Sequence, residues 1–116
     1  MPPISEEMKL WSAMLSEELS GWPQVSSRPM FGMLGYYRGK KIFAALPVTR
    51  GIKTPNSLIF RFSPMPPELQ QRALKEPRID LDRKIPGAKW FSFELHSEAD
   101  LREALWWLNQ AYERTK

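Results

Sequence analysis

Cysteine is absent from the 116 residues, and histidine occurs once, at His96. The first absence excludes a disulfide framework, a thiolate metal site and a cysteine nucleophile. The second leaves a metal ion only carboxylates and one imidazole, so no cofactor or metal is expected. No stretch approaches the ~20 consecutive apolar residues of a membrane span. The opening MPPISEEMKLW lacks the basic stretch and apolar run of a secretory signal. The expectation is a soluble protein of a reducing cytoplasm, with no membrane partner. Phosphate-loop glycines are missing as well. Gly32, Gly35 and Gly39 sit in MFGMLGYYRG, whose spacing fits neither dinucleotide nor P-loop patterns. No G-x-S-x-G elbow occurs.

Apolar residues make up 42 % of the chain, enough for a core, and the length suits one domain over residues 1–116. The 11 prolines fall where elements would end, which implies short, well-separated elements. The formal charge of +4 is unevenly spread. Residues 21–63 hold Arg28, Arg38, Lys40, Lys41, Arg50, Lys53 and Arg61 and no acid, residues 1–20 are acidic, and the remainder is balanced.

Residues 4–20 read as a helix capped by Ser5 and stopped by Gly21 and Pro23, with Met8, Trp11, Leu15 and Leu19 on one stripe. Leu10 and Met14 lie beside that stripe. Strands follow at 25–31, where Pro29 restricts the segment to an edge, and at 33–37 and 41–46, joined by Arg38-Gly39-Lys40. Another covers 57–62, after a turn-rich link at 47–56. Two prolines open a helix at 66–75, and 76–88 reads as an irregular connection. Residues 89–95 alternate as a strand. Ser97 and Asp100 suggest a capping box for a last helix whose stripe is Leu101, Leu105, Leu108 and Tyr112, widened by Ala104 and Ala111, with Trp107 at its margin and Trp106 projecting away. The order α-β-β-β-β-α-β-α predicts an α+β fold, an antiparallel sheet of about five strands packed by helices on one face.

Three constellations carry chemistry. His96, at a strand–helix junction, has no partner that sequence can place beside it, and Asp80 with Asp82 reads first as a solvated loop, so no catalytic site is expected. Arg28, Tyr37, Arg38, Lys40, Lys41, Arg50, Lys53 and Arg61 combine cations with aromatic strands, the pattern by which sheet surfaces hold single-stranded nucleic acid or another ligand. Sheet aromatics are more often core, and lysines at a hairpin tip often protect an edge. Trp106, with Leu10 and Met14, offers an apolar protein interface.

From Arg28 the stretch RPMFGMLGYYRGKKIFAAL, the later SLIFRF, and the ending WFSFEL with DLREALWWLNQAY resemble the N-terminal domain of the TfoX family. The related YjbR/MmcQ group is similar in plan. The resemblance spans most of residues 5–114. It implies a compact α+β domain without catalytic residues, and a role among competence regulators or in the DNA binding ascribed to the YjbR group. The chain departs from the family's F-G-G at Met33, and nothing in it resembles the TfoX C-terminal half. The leading expectation is therefore a non-enzymatic binding or regulatory module working through protein contacts or self-association. The alternatives are a nucleic-acid-binding domain using residues 28–61, and a small-ligand binder or enzyme with a cleft between the sheet and the 47–56 loop.

Overall fold

The backbone of Ser5 is extended and its hydroxyl accepts the Met8 N–H at 3.1 Å, while Glu6 and Glu7 occupy the positive end of the helix that follows. In the computed structural model, which describes residues 3–51, 54–80 and 89–115, this helix, α1, runs Glu6–Ser20. The predicted ligand Lys53 and the Asp82 of the acidic pair lie outside the described residues.

Four strands follow: β1 (Val25–Met30), β2 (Met33–Arg38), β3 (Lys41–Pro47) and β4 (Ser57–Arg61). After α2 (Pro67–Leu74) come β5 (Ile79–Asp80) and β6 (Trp90–Glu94). A 3₁₀ turn at Glu98–Asp100 then leads into α3 (Leu101–Glu113). All strand pairs are antiparallel, in the order β1-β2-β3-β4-β6-β5. The sheet thus has six strands where the sequence suggests about five. The extra strand is β5, inside the stretch read as irregular. Two residues are too few to display a period of two.

The helices cover one face, as expected. Leu58, Phe60, Phe91, Phe93 and Leu95 point toward them, and Phe60 stacks on Trp107 with centroids 5.7 Å apart. Burying such aromatic pairs supplies about 0.5–1.5 kcal/mol beyond the area they remove from water. The other face carries a row whose register crosses the whole sheet: Arg28, Gly35, Ala45, Ile59, Ser92 and Asp80. A Cβ at Gly35 would come within 2.8 Å of the Met30 sulfur and 3.1 Å of the Ile42 side chain, so these side-chain ends would have to shift to admit one.

The last helix is rotated from its predicted stripe. Trp107 is fully buried with Ala104, Leu108, Ala111 and Tyr112, while Leu101 and Leu105 are only half-buried. The expectation that Trp106 projects freely is corrected as well. Its ring is half-buried, packed edge-on against Trp107 at 5.0 Å and capped by the Arg72 guanidinium of α2 at 3.8 Å. Arg72 in turn bonds Glu103 at 3.0 Å, which fixes it over the ring. Leu10 and Met14 are exposed.

Among the described residues no helix is long and apolar enough to cross a membrane.

Candidate functional site: the cationic end of the sheet

Antiparallel pairing decides which charges meet. β2 ends and β3 begins at the Gly39–Lys40 turn, β4 ends at Arg61 opposite Trp90, and Phe62 donates its N–H to the Lys89 carbonyl at 2.9 Å. Lys40, Lys41, Arg61 and Lys89 therefore stand at one end of the sheet, beside the C-terminal turn of α3, which adds Arg114. The four sheet cations have no acidic partner among the described residues. By contrast, Lys9 bonds Glu6, Arg72 bonds Glu103, and Arg78 bonds both Glu76 and Asp100.

The eight predicted ligand residues do not form one surface. Lys40, Lys41 and Arg61 come together. Arg28 is exposed on the helix-free face, its guanidinium 5.3 Å from the ring of the half-buried Tyr37. Arg50 lies at the opposite end, where it pairs with Pro3. Arg38 faces the helices, contrary to its assignment as a ligand residue. It sits 4.3 Å from the Tyr112 ring centre and donates to the Tyr112 carbonyl at 2.9 Å. A helix C-terminus has unsatisfied carbonyls and a partial negative charge, and Arg38 serves both.

Sequence reasoning missed Lys89 and Arg114. Both lie in the stretch where bases and acids balance, so charge counted along the chain concealed them. The one available signal was that each sits at the end of a strongly patterned element.

A cavity of about 400 Å³ opens at this end, lined by Lys41, Arg61, Phe62, Ser63, Arg114 and Thr115, among others. Arg114 donates to the Gln110 side chain at 2.6 Å, and Thr115 donates its hydroxyl to the Ala111 carbonyl at 2.8 Å. Lys41 and Arg61 are left to face the cavity without such ties. Cations around a polar cavity suit an oxyanion, through charge-assisted hydrogen bonds.

The other candidates hold less chemistry. A cleft of about 280 Å³ lies beside β5 and β6, lined by Thr54, Ser57, Asp80, Ser92 and His96, among others, with Thr54 the one described residue of the 47–56 loop in its lining. His96 is 65 % exposed there and 3.3 Å from Glu94. Ser57 is spent on the backbone of Thr54. No three of the described His, Asp or Glu residues are grouped to hold a metal. A second cleft, of about 320 Å³, separates α1 from β2 and β3, with Leu34, Leu46 and Val48 in its walls. Lys9, Ser12, Ser16 and Tyr36 add polar groups, and burial pushes the Tyr36 hydroxyl up from the ordinary phenol pKa although its bond to Ser16 opposes that.

No family model matches the chain, and no curated protein or solved structure matches it either.

Proposed function

We propose that this chain is a non-enzymatic binding module that holds single-stranded nucleic acid by its phosphates at the cationic end of the sheet. The observation that carries the reading is the gathering of Lys40, Lys41, Arg61 and Lys89 without acidic partners among the described residues. Unpaired cations on a folded surface act on polyanions by releasing their condensed counterions. Tyr37 and Trp90, both half-buried on the helix-free face, lie in the same end rows of the sheet and offer rings for bases to stack on. The resemblance to the TfoX and YjbR groups points the same way, and the absence of cysteine favours the cytoplasm as the setting.

The test is the affinity for a fluorescent oligothymidylate as salt is raised. Contacts to four phosphates give a slope of log K against log salt of about −3. Replacing both Lys40 and Lys41 by glutamate removes most of the binding. An affinity indifferent to salt and to those changes would refute the reading.

A second reading, contact with protein or with another copy of this chain, is favoured by one residue. Phe31 is 83 % exposed at the β1–β2 turn, held at φ 48°, with the exposed Val48 bonded to that turn. An exposed aromatic on a rigid tip is the form a contact anchor takes. Association that persists by light scattering in Phe31→Asn would remove this support.

A further inference from the structure

We infer that the cavity between the ends of β3 and β4 and the last turn of α3 is a pocket for a terminal phosphate monoester, in which Lys41, Arg61 and Arg114 supply the charge and Ser63 a hydroxyl donor. This rests on the reading of that end as the anion-binding site and adds which part of the anion enters the cavity.

The geometry first answers a structural objection. Cations gather at helix C-termini simply to balance the carbonyls there. Here the Tyr112 carbonyl already accepts from Arg38 and the Gln110 carbonyl from Arg114. Thr115 provides the Ala111 carbonyl with a further donor. Lys41 and Arg61 belong to strands and make no bond to the helix among the described residues, so they exceed what the helix end requires.

The cavity's lining and size favour a chain terminus over an interior phosphate. Phe62 and Ala111, both buried, contribute to its wall, with the Ser63–Pro64 segment on one side and the helix end on another. At about 400 Å³ it has room for a phosphate and part of the attached sugar. A monoester brings nearly two charges and three terminal oxygens. An interior diester brings one charge and must continue out of the site in both directions. Three cations and a hydroxyl match the monoester better on both counts.

The same chemistry is offered by the end of a nucleic acid and by a small phosphorylated metabolite, and the experiment separates them. Affinities of the full chain are measured for one oligothymidylate carrying a 5′-phosphate, a 3′-phosphate or neither. In parallel, inorganic phosphate and ribose 5-phosphate are titrated while the backbone amides of Ser63 and Arg114 are followed by NMR. A phosphorylated end tightens binding by about tenfold, the worth of one charge-assisted contact. Arg114→Gln abolishes that preference, so that the three oligonucleotides bind alike.

Equal affinity for all three oligonucleotides, with no shift of the two amides by either small phosphate, overturns the pocket and leaves the polyanion reading standing. Small phosphates that shift both amides in the parent but not in Arg114→Gln, with no oligonucleotide bound, support the pocket and overturn the nucleic-acid reading.

Discussion

At the scale of single residues, Phe31 is the most informative. A side chain at φ 48° is crowded against its own carbonyl, a conformation that costs a non-glycine residue about 1–2 kcal/mol. The turn is nevertheless well fixed. The carbonyl of Gly32, itself at φ 79°, accepts the N–H groups of Val48, Thr49 and Arg50 at 3.0, 2.8 and 3.2 Å. The strain has no evident return in packing, because the ring is 83 % exposed. Phe31→Asn, which tolerates this backbone, therefore stabilises the fold by about 0.5–1 kcal/mol in urea unfolding. A loss of stability would mean that the ring contributes to the folded monomer after all. Trp106 teaches the opposite lesson. Helical angle alone sends it outward, and nothing local announces that Arg72, on another helix, arrives over its ring.

Among the elements, those with local signals were legible. Ser5 caps α1, the Ser97–Asp100 box precedes α3, and the alternation through Phe91 and Phe93 marks β6. What was illegible is joined over distance, and β5 is the case in point. Arg78 stands beside it, bonding Glu76 at 2.5 Å and Asp100 at 2.7 Å, and thereby ties the link after α2 to the start of α3. The Arg78 side chain, hydrogen-bonded to Glu76, lowers that carboxyl's pKa against a smaller opposing effect of burial. At Asp100 burial works upward but is outweighed by the His96 N–H, the Arg78 guanidinium and the Ser97 N–H, so its pKa is lowered too. Groups depressed in the folded state stabilise it above their unfolded pKa, about 4, and that contribution is lost as pH falls through the folded values. Stability is accordingly level above about pH 5 and declines below about pH 4. Arg78→Gln lowers stability at neutral pH by about 2 kcal/mol and flattens the acid decline. An acid limb of unchanged slope in that variant would show that the carboxylates owe their shifts to something else.

Over the whole molecule, folding redistributes a charge that looks continuous along the chain. Lys41 and Arg50 lie nine positions apart in the same acid-free segment, and by sequence they are equivalent members of one basic stretch. The run of β3 from Lys41 to Pro47 separates them: at ~3.3 Å per residue its ends are about 20 Å apart, and Arg50 lies beyond the far one. At physiological ionic strength fields between exposed charges decay over about 8 Å, so the two ends act independently. Meanwhile Lys89 and Arg114, remote in sequence, join Lys41 at its end. The two geometries predict different outcomes for charge reversal. Lys41→Glu weakens oligothymidylate binding by about tenfold or more, whereas Arg50→Glu changes it by less than about twofold. Equal losses from the two variants would mean that the strand runs along the sheet from end to end. Binding would then follow the linear order of the basic segment, and the cationic end would have no special part in it.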